Sequence, residues 1–190
     1  PNTYEAWTCL ADDSSKEAAS ATVKRNASGQ PDYRWTKAAP PVTPKLEQAL
    51  VKAGKLKAGE TCVLPSDVET GKTVLLHTGT VRWNAHRQRW VLIAVQEGGS
   101  SSYLGEVWYA EAGSPLGPWE SAVKILSHDN YTFYNPVLHP EFFRDDSPVV
   151  HFEGTYTTSF SGNKQPTPRW DYNQVLYQVD LSRPPFATGK

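Results

Sequence analysis

Residues 89–126, RWVLIAVQEGGSSSYLGEVWYAEAGSPLGPWESAVKIL, decide the fold that the sequence predicts. Two runs, Arg89–Val95 and Glu106–Glu111, are rich in β-branched and aromatic residues, and a Gly/Ser loop separates them. The turn Gly113–Pro118 then leads to a shorter run, Ala122–Leu126. Short apolar runs alternating with tight turns predict consecutive antiparallel strands joined by hairpins.

The same pattern extends to both sides of this stretch. A preceding strand is predicted within Thr73–Asn84, and three more follow at Phe133–Phe142, Pro148–Phe152 and Gln174–Leu181. Equivalent first strands recur after roughly 55 residues, a spacing in the range of β-propeller blades. The predicted fold class is therefore all-β and built from propeller blades. Residues 73–126 form a complete four-stranded blade, and residues 127–190 form a partial blade with a C-terminal tail.

Residues 1–72 are predicted to form a partial blade or arm. They contain two short strands within Tyr4–Leu10 and Asp32–Thr36. The one helix begins after Thr43, which is placed to cap it, with Pro44 at the first helical position. Gly54 ends the helix.

Two blades and part of a third do not close a ring, because propellers carry about 4–8 blades. Three sources of the missing blades stay open: an N-terminal portion of the same precursor, another polypeptide, or self-association. The alternative fold is an open β-sandwich of about nine strands. Since the chain starts at Pro1 and contains no Met, we expect a processed, C-terminal part of a larger polypeptide.

Composition excludes several classes of partner. The net charge of −1 provides no field to hold a nucleic acid. No apolar run approaches the roughly 20 residues that span a bilayer. Seven Trp, nine Tyr and six Phe are typical both of β cores and of exported proteins that stack aromatic rings on sugars. No metal-ligand spacing occurs, and no cofactor is expected.

The two cysteines, Cys9 and Cys62, fit no metal pattern. In an exported protein they are expected to form a disulfide that ties the N-terminal strand to the segment after the helix. The alternative is two unrelated buried thiols.

The segment Trp108–Trp119, which contains Ala-Gly-Ser-Pro-Leu-Gly-Pro-Trp, resembles the blade turn of five-bladed propellers of glycosidase families 43 and 32. The segments Tyr134–Pro140 and Phe152–Thr157 are similar to exported relatives of those families. The resemblance covers roughly Thr73 to Leu181 and implies a secreted or periplasmic protein that acts on, or binds, an extracellular polysaccharide. A non-catalytic carbohydrate-binding or assembly module is the alternative function.

The resemblance also implies where carboxylates belong, and the sequence departs from that pattern. Those glycosidases carry acids at the start of the innermost strand of successive blades. Here the corresponding segments begin with Leu76-His77 and Phe133-Tyr134, without a carboxylate. Three explanations stay open: the acids lie in the missing blades, the chemistry differs, or the protein catalyses no reaction.

The catalytic candidates are Glu106 and Glu153, which border the two long loops between second and third strands. A propeller would bring them to one end of the channel, where desolvation by aromatic rings would make one a general acid. Alternatively, both are strand-end surface charges. The predicted substrate-binding residues share that end of the blades or its loops: His77, Tyr134, Asn135, His139, Trp170 and Asp171.

Overall fold

The computed structural model describes residues 4–142, 144, 147–167, 169 and 171–186. Strands predominate over helix, so the all-β class is confirmed. Two compact units are present, Pro1–Leu64 and Pro65–Lys190. In chain order the elements are β1 Ala6–Thr8, β2 Arg34–Thr36, α1 Pro44–Lys52, β3 Ser66–Asp67, β4 Leu76–Asn84, β5 Arg89–Gln96, β6 Glu106–Ala112, β7 Ser121–Ser127, β8 Thr132–Leu138, β9 Val149–Thr157 and β10 Tyr172–Asp180.

In the first unit, α1 has the predicted start. The Thr43 side chain accepts a hydrogen bond from the Leu46 backbone N–H, and Pro44 occupies the first turn. Leu46 and Leu50 lie one helical turn apart and pack into a core with Cys9 and residues of the N-terminal loop. β1 and β2 form a separate antiparallel pair. Both the helix and its capping residue are confirmed.

A fully buried carboxylate, Glu47, connects α1 to the segment that follows it. Its Oε1 accepts hydrogen bonds from the Tyr33 hydroxyl at 2.5 Å and the Cys62 N–H at 2.8 Å, and its Oε2 accepts from the Val63 N–H at 2.8 Å. These bonds offset part of the cost of burying the carboxyl group, and burial still raises its pKa. α1 thereby fixes the course of residues 62–63.

The predicted disulfide is wrong. Cys9 and Cys62 are both buried thiols, and their sulfur atoms are not at disulfide distance. Burial raises the pKa of the Cys62 thiol to about 11 and also raises that of Cys9. The position of Cys62 is set by its backbone bond to Glu47 rather than by a bond to Cys9.

The second unit contains two sheets. The five-stranded sheet has the order β3-β7-β6-β5-β4, and the three-stranded sheet has the order β10-β9-β8. From β4 to β7 the strands pair in chain order and antiparallel, as do β8 to β10. β3 pairs parallel with β7 and adds a fifth strand that the sequence pattern does not predict.

One hydrophobic core lies between the two sheets. Val91, Ile93 and Val107 contribute from the five-stranded sheet, and Phe133 and Phe152 contribute from the three-stranded sheet. These residues follow the period of two that a strand imposes, so one face of each sheet enters the core. The described residues form neither a closed barrel nor a closed propeller ring.

The predicted strand Phe133–Phe142 is too long. The strand ends at Leu138, and Pro140–Phe142 form a short 3₁₀ helix. Pro140 has no N–H to donate to a sheet, which ends the strand before it. Among the described residues, no helix has the length and apolar character needed to cross a membrane.

Candidate functional site

A pocket of about 270 Å³ lies in the second unit, where residues of β3, β5, β6 and β7 approach one another. Its lining includes the predicted catalytic residue Glu106. The lining residues with charged, amide or indole side chains are Asp67, Lys72, Gln96, Glu106, Trp108 and Lys124. The pocket is therefore polar and contains groups of both charges.

Glu106 is buried and held by a cation and a hydroxyl. Its Oε1 accepts hydrogen bonds from the Ser100 hydroxyl at 2.7 Å and from the Lys124 ammonium at 3.0 Å. The Ser100 backbone N–H lies 3.3 Å from the same oxygen. The side chain of Glu106 is 3% exposed, whereas that of Lys124 is 38% exposed. The ion pair thus joins a buried anion to a cation that still meets solvent.

A β-bulge brings these groups to one face of the sheet. Trp108 pairs with Lys124 and Val107 pairs with Leu126, so β7 has one extra residue at this point. Glu106 and Trp108 are two residues apart and share a face. The Lys124 ammonium lies 5.1 Å from the centre of the Trp108 ring, a cation–π distance.

The loop after β5 supplies the hydroxyl partner of Glu106. Gly98 has φ of 71°, a conformation that favours glycine, and it turns the chain back so that Ser100 faces Glu106. A Cβ at Gly99 would lie 3.3 Å from Cγ and Cδ of Glu106. The two glycines therefore allow the loop to approach the carboxylate closely.

The electrostatics of the pocket keep its carboxylates ionised. Burial opposes ionisation of Glu106, but hydrogen bonds from Ser100 and Lys124 outweigh burial and lower the pKa of its carboxyl. Burial also opposes ionisation of Asp67, and the Thr70 hydroxyl, the Glu69 N–H and the charge of Lys124 lower that pKa as well. A general acid needs a raised pKa, and the pKa of Glu106 is shifted in the other direction. The catalytic role of Glu106 stays a prediction.

Two buried polar atoms of the pocket residues have no hydrogen-bond partner. They are the amide oxygen Oε1 of Gln96 and the indole nitrogen Nε1 of Trp108. An unpartnered buried acceptor or donor costs about 1–3 kcal/mol. One of these atoms accepts and the other donates, and both are closed to solvent. A ligand that offers a donor and an acceptor would recover this cost once the side chains turn these atoms toward the pocket.

The second predicted catalytic residue, Glu153, lies in a different network. Its Oε2 is 3.3 Å from Nε2 of His139, and Nδ1 of the same imidazole is 2.7 Å from Oε1 of Glu141. The hydrogen bond to Glu141 raises the pKa of His139 despite partial burial, and Glu153 adds to the effect. The structure thus joins Glu153 to His139, while the pocket of Glu106 does not include Glu153.

Three further predicted residues, His77, Tyr134 and Asn135, lie on β4 and β8, two strands that a side-chain hydrogen bond links. His77 is exposed on β4. The side-chain oxygen of Asn135 accepts a hydrogen bond from the Thr78 hydroxyl at 3.3 Å. Tyr134 lies 6.5 Å from Phe160, measured between ring centres.

Two further predicted residues belong to the loop before β10. Asp171 accepts a hydrogen bond from the Thr158 hydroxyl at 2.8 Å. Trp170 lies outside the described residues. Of these two predicted substrate-binding residues, the structure therefore describes the contacts of Asp171 alone.

Of the lining residues named above, sequence reasoning missed all but Glu106: Asp67, Lys72, Gln96, Trp108 and Lys124. Trp108 and Lys124 occupy predicted strands, and each alternates with core residues, which marks the opposite face of the sheet. That pattern identifies a shared face but gives no register. Asp67 belongs to a two-residue strand, which is too short for any periodicity to identify.

The comparisons with known proteins give no relative: no family model, no curated protein sequence and no solved structure matches the chain. The resemblance to glycosidase families 43 and 32 therefore stays a prediction. The function must be argued from the pocket itself.

Proposed function

We propose that residues 65–190 are a carbohydrate-binding module that holds one small, neutral saccharide unit in the pocket around Glu106 and does not cleave it. The observation that supports this most directly is the pair of unpartnered buried atoms, Gln96 Oε1 and Trp108 Nε1. A sugar hydroxyl both donates and accepts hydrogen bonds, so neighbouring hydroxyls of one ring suit such a pair.

The charges of the pocket favour a neutral ligand. Asp67 and Glu106 supply two negative charges, and Lys72 and Lys124 supply two positive charges, so the charges of these four residues balance. An anionic or cationic ligand would leave one charge of the set without compensation. The volume of about 270 Å³ lies just below the roughly 300–1,000 Å³ of pockets for drug-sized ligands, which suits a single sugar ring.

Binding without hydrolysis follows from the ionisation of the two carboxylates. Glycoside hydrolysis needs one carboxyl group that is protonated when substrate is bound. Asp67 and Glu106 both have lowered pKa values, so neither supplies that proton near neutral pH. As part of the same proposal, the two sheets are adjacent blades of an incomplete propeller in an exported protein. The chain-order pairing of β4 to β7 and of β8 to β10 supports the blades.

The test is saturation-transfer NMR and calorimetry with a panel of neutral mono- and oligosaccharides. The substitution Gln96→Met removes the unpartnered acceptor and keeps a similar volume. We expect it to weaken saccharide binding by about two- to tenfold, the worth of one neutral hydrogen bond. The melting temperature should stay equal or rise, because Gln96→Met also removes an unsatisfied buried oxygen. Gln165→Met, at an exposed site outside the pocket, is the matched control.

Two results would overturn the proposal. One is the absence of saturable binding by every sugar of the panel, and the other is equal affinity in Gln96→Met and wild type. A separate assay for released reducing ends decides between binding and cleavage. Turnover that disappears in Glu106→Gln would establish the glycosidase instead.

A further inference from the structure

The free edge of the three-stranded sheet differs from the other sheet edges of the second unit. β10 pairs with β9 on one side, and among the described strands none pairs with its other side. The strand is nine residues long and contains neither Pro nor Gly. Its only charged residue is Asp180, at the end of the strand. Long uncharged edges readily pair with another strand.

The other three edges carry features that hinder such pairing. β3 has only two residues. β4 has a register shift between Leu76 and Gly79, and it carries Arg82. β8 has a register shift in the stretch that contains Pro136. Short strands, bulges, charges and Pro are the usual means of blocking an edge. β10 is long and contains no Pro, its pairing with β9 has no register shift, and its one charge, Asp180, lies at its last residue.

The order of the strands identifies what is missing beside β10. In the five-stranded sheet, the third strand of the antiparallel series, β6, is covered by β7. In the three-stranded sheet, the third strand is β10, and no fourth strand follows among the described residues. Within the part of the chain that the structure describes, the corresponding edge is therefore covered in one sheet and open in the other.

We propose that the occupant of this edge is β10 of a second copy of the chain, paired antiparallel about a two-fold axis at Leu176. The strand is self-complementary in that register. Leu176, which is 56% exposed, lies opposite its own copy. On the same face, exposed Gln174 pairs with exposed Gln178, and exposed Tyr172 pairs with half-buried Asp180. These are apolar, amide–amide and hydroxyl–carboxylate pairs, all favourable across antiparallel strands.

No like charges oppose one another in this arrangement. The two copies of Asp180 lie at opposite ends of the paired strands, about 27 Å apart at about 3.4 Å per residue. That separation exceeds the Debye length of about 8 Å at physiological salt. The pairing would create one continuous six-stranded sheet from two three-stranded sheets, joined by main-chain hydrogen bonds.

The experiment is sedimentation equilibrium of the whole chain between 1 and 200 µM, concentrations chosen on the order of the dissociation constants of weak dimers. Wild type is expected to reach twice the 21.1 kDa of one chain. Leu176→Lys places two ammonium groups opposite each other and should weaken the dimer at least about tenfold. The matched control is Val68→Lys, at an apolar site that is 50% exposed in the same unit and should leave the dimer intact.

A charge exchange makes the test specific for the axis at Leu176. Leu176→Lys and Leu176→Glu should each be monomeric alone, and a mixture of the two should restore a heterodimer, since opposite charges then face each other. Wild type that remains monomeric over the whole range would overturn the proposal. Homodimers that persist in Leu176→Lys, or a mixture that fails to associate, would overturn it as well.

Discussion

The buried carboxylate of Glu47 allows a sharp test of how the first unit is stabilised. The substitution Glu47→Gln keeps the shape of the side chain but replaces one carboxylate oxygen by an NH₂ group. If the amide oxygen keeps the bonds to Tyr33 and Cys62, the NH₂ group faces the Val63 N–H, now 2.8 Å from Oε2. A donor then faces a donor in a site that is closed to water.

The expected loss of stability follows from these contacts. An unsatisfied buried donor costs about 1–3 kcal/mol, and the bonds that remain lose the strength that a charged acceptor gives them. Because this residue is fully buried, we expect the two effects together to lower the free energy of unfolding by about 2–4 kcal/mol. That loss is a large part of the roughly 5–15 kcal/mol by which small domains are stable. The corresponding increase in the population of the open unit is about 30- to 1,000-fold.

Thiol labelling measures this opening without interference from the second unit. The two cysteines of the chain, Cys9 and Cys62, both lie in the first unit, and both are buried. Labelling by a coloured disulfide reagent therefore requires the unit to open. We expect Glu47→Gln to label about 30- to 1,000-fold faster than wild type. Glu17→Gln, which removes an exposed carboxylate from the same unit, is the control and should label like wild type.

The reasoning would be refuted if Glu47→Gln labelled no faster than the control. The same assay tests the state of the cysteines. Wild type unfolded in denaturant without reductant should label at two thiols per chain. Unfolded protein that reacts only after reduction would instead restore the disulfide that the sequence predicted.

The remaining predictions concern His139 and Gly79. Because the pKa of His139 is raised, foremost by Glu141, its charged form stabilises the fold below its unfolded pKa of about 6.5, and this contribution is lost as pH rises through the folded pKa. NMR titration of the folded protein should show that Glu141→Gln lowers the pKa of His139 more than Glu153→Gln does. A wild-type pKa of His139 at or below about 6.5 would contradict the prediction. A Cβ at Gly79 would lie 2.5 Å from Cβ and 2.7 Å from Cα of Ala94, so Gly79→Ala should lower the free energy of unfolding by about 1–3 kcal/mol or more, measured with urea. An unchanged urea midpoint would refute the close packing.

Part of the candidate site was within reach of the sequence. Glu106 was identified because it borders a long loop between two strands, and the structure places it in a polar pocket. The direction of its pKa shift was not predicted, since desolvation by aromatic rings was expected to make one of the two carboxylates a general acid. The outcome depends on Lys124, which is 18 residues away in sequence. Only the register between β6 and β7, including its bulge, brings the ammonium to the carboxylate.

The sequence by itself determined the local elements. Runs of apolar, β-branched and aromatic residues identified strands β4 to β10 of the second unit, and Thr43 with Pro44 identified the start of α1. These signals are local, because a strand or a helix imposes its own period on the residues within it. The tertiary structure alone decided the parallel pairing of β3, the burial of Glu47, the separation of Cys9 from Cys62, and the free edge of β10. Each of these depends on residues that are distant in sequence, and pairings over such distances are set by packing and register, which leave no periodic trace in the chain.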